Sequence, residues 1–129
     1  MGRGTAVLVL MAGVAACAET TPPAEAPAPE YLGVQTRLLG GDLVNFLVEM
    51  RGASSAGDVT AYADCAAAQY ARIRDYGFAR RVRTNLDEEG GLWRGDAVYT
   101  VSPALPEGTR TIDADVVVAA CREDGIPTV

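Results

Sequence analysis

Apolar side chains recur along this chain at two periods, and the change from one to the other marks out its elements. Tyr31 to Leu39 and Leu43 to Arg51 read as strands. In the second, Val44, Phe46, Val48 and Met50 fall on one face while Asn45, Glu49 and Arg51 fall on the other. Gly40-Gly41-Asp42 lies between them and supplies turn residues, so the pair predicts a hairpin. The run Gly52 to Gly57 then breaks the alternation. Beyond it, Val59, Tyr62, Ala63, Ala66, Tyr70 and Ile73 follow at steps of three and four, the spacing of one helix face. Asp58 is placed to cap that helix by accepting backbone N–H groups, and Gly77 to end it after Tyr76.

Phe78 to Leu86 returns to alternation, with Phe78, Val82 and Leu86 set among charged residues. Asp87-Glu88-Glu89-Gly90-Gly91 is a polar turn into Leu92 to Val101, which predicts a second hairpin. Pro103 and Pro106 mark a loop. Thr111 to Cys121 then places Ile112, Ala114, Val116, Val118 and Ala120 on one side, as a final strand would. The order β-β-α-β-β-β predicts an α+β domain of two layers, a mostly antiparallel sheet packed on one helix. It occupies residues 31–129 and leaves strand order open.

The first thirty residues follow neither period. Arg3 precedes an unbroken run of small and apolar residues from Thr5 to Ala18, the pattern of a secretory signal. The run is short of the roughly 20 apolar residues needed to span a bilayer. Val14-Ala15-Ala16-Cys17 closes it. This tetrad resembles the lipobox of bacterial lipoproteins, and the resemblance implies a signal peptide of residues 1–16 and a lipid-modified Cys17. In that family the cysteine thiol receives a diacylglyceryl group before cleavage and the new amino terminus is also acylated. Ala18, by the same resemblance, favours the outer over the inner membrane. Ordinary secretion is the alternative, with cleavage near Ala15-Ala16 and Cys17 left as an exported thiol. Residues 17–30 hold the cysteine and a stretch with four prolines, many alanines and no large apolar residue. That composition predicts an extended tether, which at about 3 Å per residue holds the domain about 35 Å from the membrane.

Composition narrows the function. The chain of 129 residues has no histidine, and its 11 basic residues, all arginine, stand against 17 acids. Nucleic acid is therefore excluded as a partner, since such binders carry a concentrated basic footprint. Without histidine there is no Ser-His-Asp or Cys-His activation and no histidine metal site. Without lysine there is no Schiff base and no P-loop lysine. No cofactor is expected.

Five sets of residues remain as candidates. Cys65 and Cys121 form an even pair once Cys17 is modified, and in an exported domain they read as a disulfide. A redox pair is the other reading, disfavoured by the absence of Cys-x-x-Cys spacing. Arg72, Arg74, Arg80, Arg81 and Arg83 form the basic cluster of an acidic chain. Guanidinium groups fit phosphate and carboxylate, so the cluster is either an anion-binding site or a solvated face with ion pairs to acids such as Asp75. Asp113 and Asp115 would project from one face of the last strand, the arrangement a carboxylate-dependent hydrolase needs, or that of a solvated edge. Asp87-Glu88-Glu89 lacks EF-hand spacing and reads as a hairpin tip. Trp93 and Tyr99 share a face, as core or as a contact surface.

Arg51-Gly52, the segment Asp64 to Tyr70 and Gly77-Phe78 together resemble the corresponding parts of small, uncharacterised envelope lipoproteins of proteobacteria. The resemblance spans Gly41 to Arg83 and implies a shared fold and location, with no reaction attached. The expected function is that of a membrane-anchored, non-enzymatic accessory or binding module, contacting the membrane through lipid and an envelope protein or anionic envelope component through its domain. The alternative is a small carboxylate-dependent hydrolase of the envelope.

Overall fold

The computed structural model describes residues 28–128 together with the isolated Gly2, Gly4 and Gly13. Apart from those three glycines, the expected signal peptide, the expected lipobox with Cys17 and nearly all of the expected tether lie outside the described residues. The elements are β1 (Glu30–Gly40), β2 (Leu43–Arg51), α1 (Ala56–Ile73), β3 (Phe78–Glu89), β4 (Leu92–Ser102), β5 (Thr111–Asp113) and α2 (Ala114–Glu123). They build an α+β domain on a five-stranded sheet of order β1-β2-β4-β3-β5, with every pairing antiparallel. The two predicted hairpins are both present. They join through β2 and β4, which lie side by side at the centre because α1 carries the chain past β4's position before β3 and β4 return toward β2.

The alternation read in β2 holds. Val44, Phe46, Val48 and Met50 are buried, and across from them on β4 stand Tyr99, Ala97, Gly95 and Trp93. This face is covered by α1, whose Val59, Tyr62, Ala63 and Ala66 are buried against it. Phe46 holds the layers together through edge-on contacts with Tyr70 and Tyr99, both at 5.7 Å between ring centroids. Gly95 sets how near the helix can come. A Cβ there would lie 2.9 Å from Val48 and 3.1 Å from Val59, closer than packed side chains tolerate.

Three local readings change. The segment from Thr111 is a strand for three residues only, and a second helix follows it. The Asp113 side chain accepts from the N–H groups of Asp115 and Val116, which caps α2 and turns the chain out of the sheet. Ala114, Val118 and Cys121 are the buried residues of α2, spaced by four and three, whereas Val116 is 65% exposed. Apolar residues at every second position had concealed this spacing, because positions 114 and 118 satisfy both periods. The domain therefore has two helices where one was expected.

The bounds of α1 also move. It starts at Ala56, and Asp58, inside the first turn, accepts from the N–H and hydroxyl of Ser54 instead of capping the helix. It ends at Ile73, where Asp75 takes a left-handed φ of 61° and Tyr76 N–H returns to Ala71 O. That reversal was assigned to Gly77, but an aspartate accomplishes it two residues earlier. Ile73, placed on the apolar stripe, is 60% exposed. In its stead Cys65 and Ala68 are buried, because α2 packs on a second side of α1. Lastly, Ala79, not Phe78 or Val82, is the buried residue of β3, and a bulge between Arg81 and Arg83 shifts the strand by one residue, so that Leu86 but not Phe78 falls on the side of Ala79.

Candidate functional site

The face of the sheet turned away from the helices carries the site. Alternation sends Leu47 and Glu49 of β2, Arg94, Asp96 and Val98 of β4, and Asn85 and Asp87 of β3 to this side. At the β1 edge a bulge between Tyr31 and Gly33 gives φ +136° at Gly33, which brings Leu32 and the bare glycine to the same side. A cavity of about 560 Å³ lies among these residues, within the usual size of ligand pockets. Leu32 and Leu47 give it an apolar part, and Glu49, Asp87, Arg94 and Asp96 a charged one.

The charges are arranged across strands. Arg94 stands opposite Glu49 on one neighbour and opposite Asp87 on the other. Its Nε lies 3.6 Å from Glu49 Oε1. Asp96 accepts from Asn45 Nδ2 at 2.6 Å and from Arg83 Nη2 at 3.5 Å. Asn45 is 6% exposed, and its second N–H bond, to Ala97 O, satisfies its amide. Asp87 makes no ion pair and no hydrogen bond among the described residues. The cavity is lined by three carboxylates against one guanidinium, and one of those carboxylates is unengaged.

A different polar group is set into the helix-covered face. Asp64 of α1 accepts from Arg81 Nε and Nη2 of β3, and from the Tyr99 hydroxyl of β4. Asp64 and Arg81 side chains are 23% and 21% exposed. Burial first, then the charge and hydrogen bond of Asp64, push the Tyr99 hydroxyl far above its ordinary pKa, so it remains a neutral donor. Burial disfavours the Arg81 cation, yet the bonds to Asp64 and Tyr99 outweigh it and its pKa is raised. Every strong bond in this trio ends inside it. It fixes α1 to two strands and presents no free acid or base.

The five arginines of the expected cluster do not converge. Arg72 pairs with Asp115 at 3.1 Å, and Arg74 lies over the Tyr70 ring at 5.6 Å. Arg81 points to the helix side, while Arg83 pairs with Asp96 on the opposite face. Arg80 runs beside the Gly108 loop. Asp75, the expected partner, serves the helix end instead. Asp113 and Asp115 are a helix cap and a first-turn ion pair, so the carboxylate pair expected on a strand face is not formed. In the Asp87-Glu88-Glu89 segment the strand continues to Glu89 and the turn is Gly90-Gly91, both with positive φ, with Glu88 accepting from Gly91 N–H. Tyr99 is fully buried and Trp93 packs against the core, as the core reading of that pair requires.

Cys65 and Cys121 are joined in a disulfide with Cα atoms 6.0 Å apart, linking α1 to α2 and buried at 2% and 3% exposure. No group of three or more metal-ligating side chains occurs among the described residues. No helix among them is long and apolar enough to cross a membrane. The cross-strand set Glu49, Arg94 and Asp87 escaped the sequence because, although a hairpin joins β3 to β4, strand order alone makes β2 the neighbour of β4. The one signal available was that each occupies the polar side of its strand.

Fold and site together define a small α+β module, one sheet face closed by two helices and the other open around a charged cavity. The chain belongs to the family of the YNQ4 C-terminal domain, whose model matches residues 31–125. It is 31% identical over 109 residues to an uncharacterised 26.9 kDa protein of Paracoccus denitrificans, encoded 5′ of nqo8. That alignment covers 80% of this chain and 43% of the relative, so the chain spans less than half the length of the curated relative it matches. No solved structure matches the chain.

Proposed function

We propose that this chain is a lipid-anchored lipoprotein of the bacterial cell envelope whose domain binds a partner and catalyses no reaction. The observation that carries the binding role is the cavity on the uncovered sheet face. It offers apolar surface and an unengaged carboxylate, with no nucleophile or ligand set beside it. The sequence supports this reading from another side, since it has no histidine or lysine to serve the common catalytic plans. Val14-Ala15-Ala16-Cys17 and the proline-rich segment after it support anchoring through Cys17, and Ala18 favours the outer membrane. The buried Cys65–Cys121 bond supports an oxidising compartment such as the periplasm. Nothing observed favours the hydrolase alternative, because Asp113 and Asp115 are taken up in building α2.

The test is intact mass and membrane fractionation of the native protein beside a Cys17→Ser variant, with thiols counted before and after reduction. The expected result is a lipid-sized mass increase and membrane association, both lost in the variant, with Cys65 and Cys121 unreactive until reduction. A soluble, unlipidated native protein would overturn the anchored reading.

A further inference from the structure

The two edges of the sheet are unlike. β5, at one of them, is three residues long and leads straight into α2. β1, at the other, has eleven residues and pairs on one side only, to β2. Bulges between Tyr31 and Gly33 and between Leu38 and Gly40 leave Val34 to Leu38 as a regular stretch between them. A regular edge strand directs backbone N–H and C=O groups away from its sheet and is a template for a further strand. The helix layer leaves this edge uncovered. α1 lies over β2, β4 and β3, so Val34 is half-buried on the helix side while Leu38, on the same side, is 64% exposed. Leu39 and Leu32, at the two bulges, are also exposed.

The side chains of the stretch fit a second copy of itself. Laid antiparallel to its own image about a two-fold axis through Thr36, Val34-Gln35-Thr36-Arg37-Leu38 sets Val34 opposite Leu38 on the helix side and Gln35 opposite Arg37 on the open side. Apolar meets apolar, and each arginine meets an amide whose oxygen can accept from it. Arg37 makes no ion pair among the described residues, so it is free for that contact. Facing residues share a side of the sheet only when the axis passes through a residue, which leaves few registers. An axis through Arg37 would set the two arginines against each other. One through Gln35 would set Val34 against Thr36 and carry Leu38 onto the bulge at Leu32. The axis through Thr36 alone pairs all five residues of the regular stretch, and it brings Leu39 beside Gly33 and the bulge of the second copy. Both long edges are consumed by this contact and the short β5 edges are left outermost, so assembly closes at two.

We propose that β1 is a homodimer interface, in which Val34–Leu38 of two copies pair antiparallel about Thr36 and join their sheets into one. The open faces of both copies then lie on the same side, with one cavity on each side of the seam, because Leu32, Gly33 and Gln35 of β1 line the cavity. The inference goes beyond the binding-module reading and rests on neither that reading nor the lipid anchor.

The test is sedimentation equilibrium of the exported full chain carrying Cys17→Ser. A monomer–dimer equilibrium is expected, with a dissociation constant between about 10 µM and about 300 µM, as suits a small interface. Every position substituted is exposed, so each variant is expected to keep the parent's melting temperature. Gln35→Glu sets a carboxylate opposite Arg37 twice in each dimer and is expected to tighten association at least about threefold, whereas Gln35→Arg sets like charges there and is expected to weaken it at least about threefold. Combining Gln35→Arg with Arg37→Glu reverses the pair and is expected to restore the parent's association. Leu38→Glu places a carboxylate against Val34 and is expected to leave a monomer at concentrations up to about 1 mM. A parent chain that stays monomeric at that concentration, or that grows past a dimer, would overturn the proposal. So would a dimer indifferent to Leu38→Glu, which must use another surface, or one in which Gln35→Glu and Gln35→Arg act alike, since Gln35 would then not face Arg37. These failures leave the mass and fractionation result untouched, so the two readings fall separately.

Discussion

The two faces of the sheet are made of the same strands and differ in almost everything else. On the helix side Val44, Phe46, Val48 and Met50 are closed off by α1, and the Asp64 carboxylate meets Arg81 and Tyr99 with its oxygens occupied. On the open side, one residue away in each strand, Leu47, Glu49, Arg94 and Asp87 stand around a cavity. Their ion pairs are longer, 3.5 to 3.6 Å, and about half exposed. A buried carboxylate must be satisfied or the fold suffers, whereas an exposed pair contributes little and is free to exchange partners. Stability is thus concentrated on one face, and the other is left open around the cavity.

The largest effect expected on the covered side comes from the crosslink behind it. Removing the disulfide with Cys65→Ser and Cys121→Ser together releases a loop of 56 residues and is expected to cost about 4 kcal/mol, read from urea unfolding. Much of a small domain's stability is at stake, and the doubly substituted chain is expected to be partly unfolded at 37 °C. Next comes Asp64→Ala, which leaves Arg81 and the Tyr99 hydroxyl without their acceptor and is expected to cost about 3 kcal/mol. The matching change on the open face, Asp96→Ala, is expected to cost about 1 kcal/mol, since the Asn45 amide loses a bond while the half-exposed Arg83 can turn to water. Equal losses for the two would erase the contrast between the faces. Gly95→Ala is expected to cost about 2 kcal/mol, as its methyl group meets Val48 and Val59, and Val59→Ala in the same chain is expected to restore part of that loss.

The smallest effect is one of pH. Ser54 hydrogen bonds hold the Asp58 carboxyl below its ordinary pKa of 3.8. A carboxyl lowered on folding stabilises above its unfolded pKa, and that contribution disappears as pH falls through the folded value. Asp58→Asn is therefore expected to be less stable than the parent by roughly 0.5 kcal/mol near neutrality, a figure kept low by solvent screening at this exposed position. The difference should close below pH 3.8. A difference that persists in acid would point to the amide disturbing the Ser54 turn by itself.

What the chain revealed about itself follows the same division. The covered face was legible wherever one period ruled, as along β2 and in the middle of α1. It was misread where two periods coincide, at Ala114 and Val118, and where a bulge reset β3 at Val82. Neither leaves a mark on composition. The disulfide is readable because two cysteines remain once Cys17 is set aside, although alternation predicts a strand where Cys121 sits on α2. The open-face site was not legible at all. Asp87 and Arg94 face each other across one hairpin, but Glu49 lies far from both in sequence, and its place beside Arg94 depends on β4 pairing with β2. Within the arginine cluster, Arg80 and Arg81 are neighbours in sequence yet alternation sends them to opposite sides of the sheet.

The most direct test of the two-faced account compares neighbours, Leu47→Ser and Val48→Ser, by urea unfolding. The residues adjoin in β2, one half-buried at the cavity and the other 1% exposed beneath α1. Val48→Ser is expected to cost about 3 kcal/mol and Leu47→Ser less than about 1 kcal/mol, with no change in the dependence on denaturant. Equal destabilisation by the two would mean that the open face is itself core, and would contradict its assignment as a surface kept free for a partner.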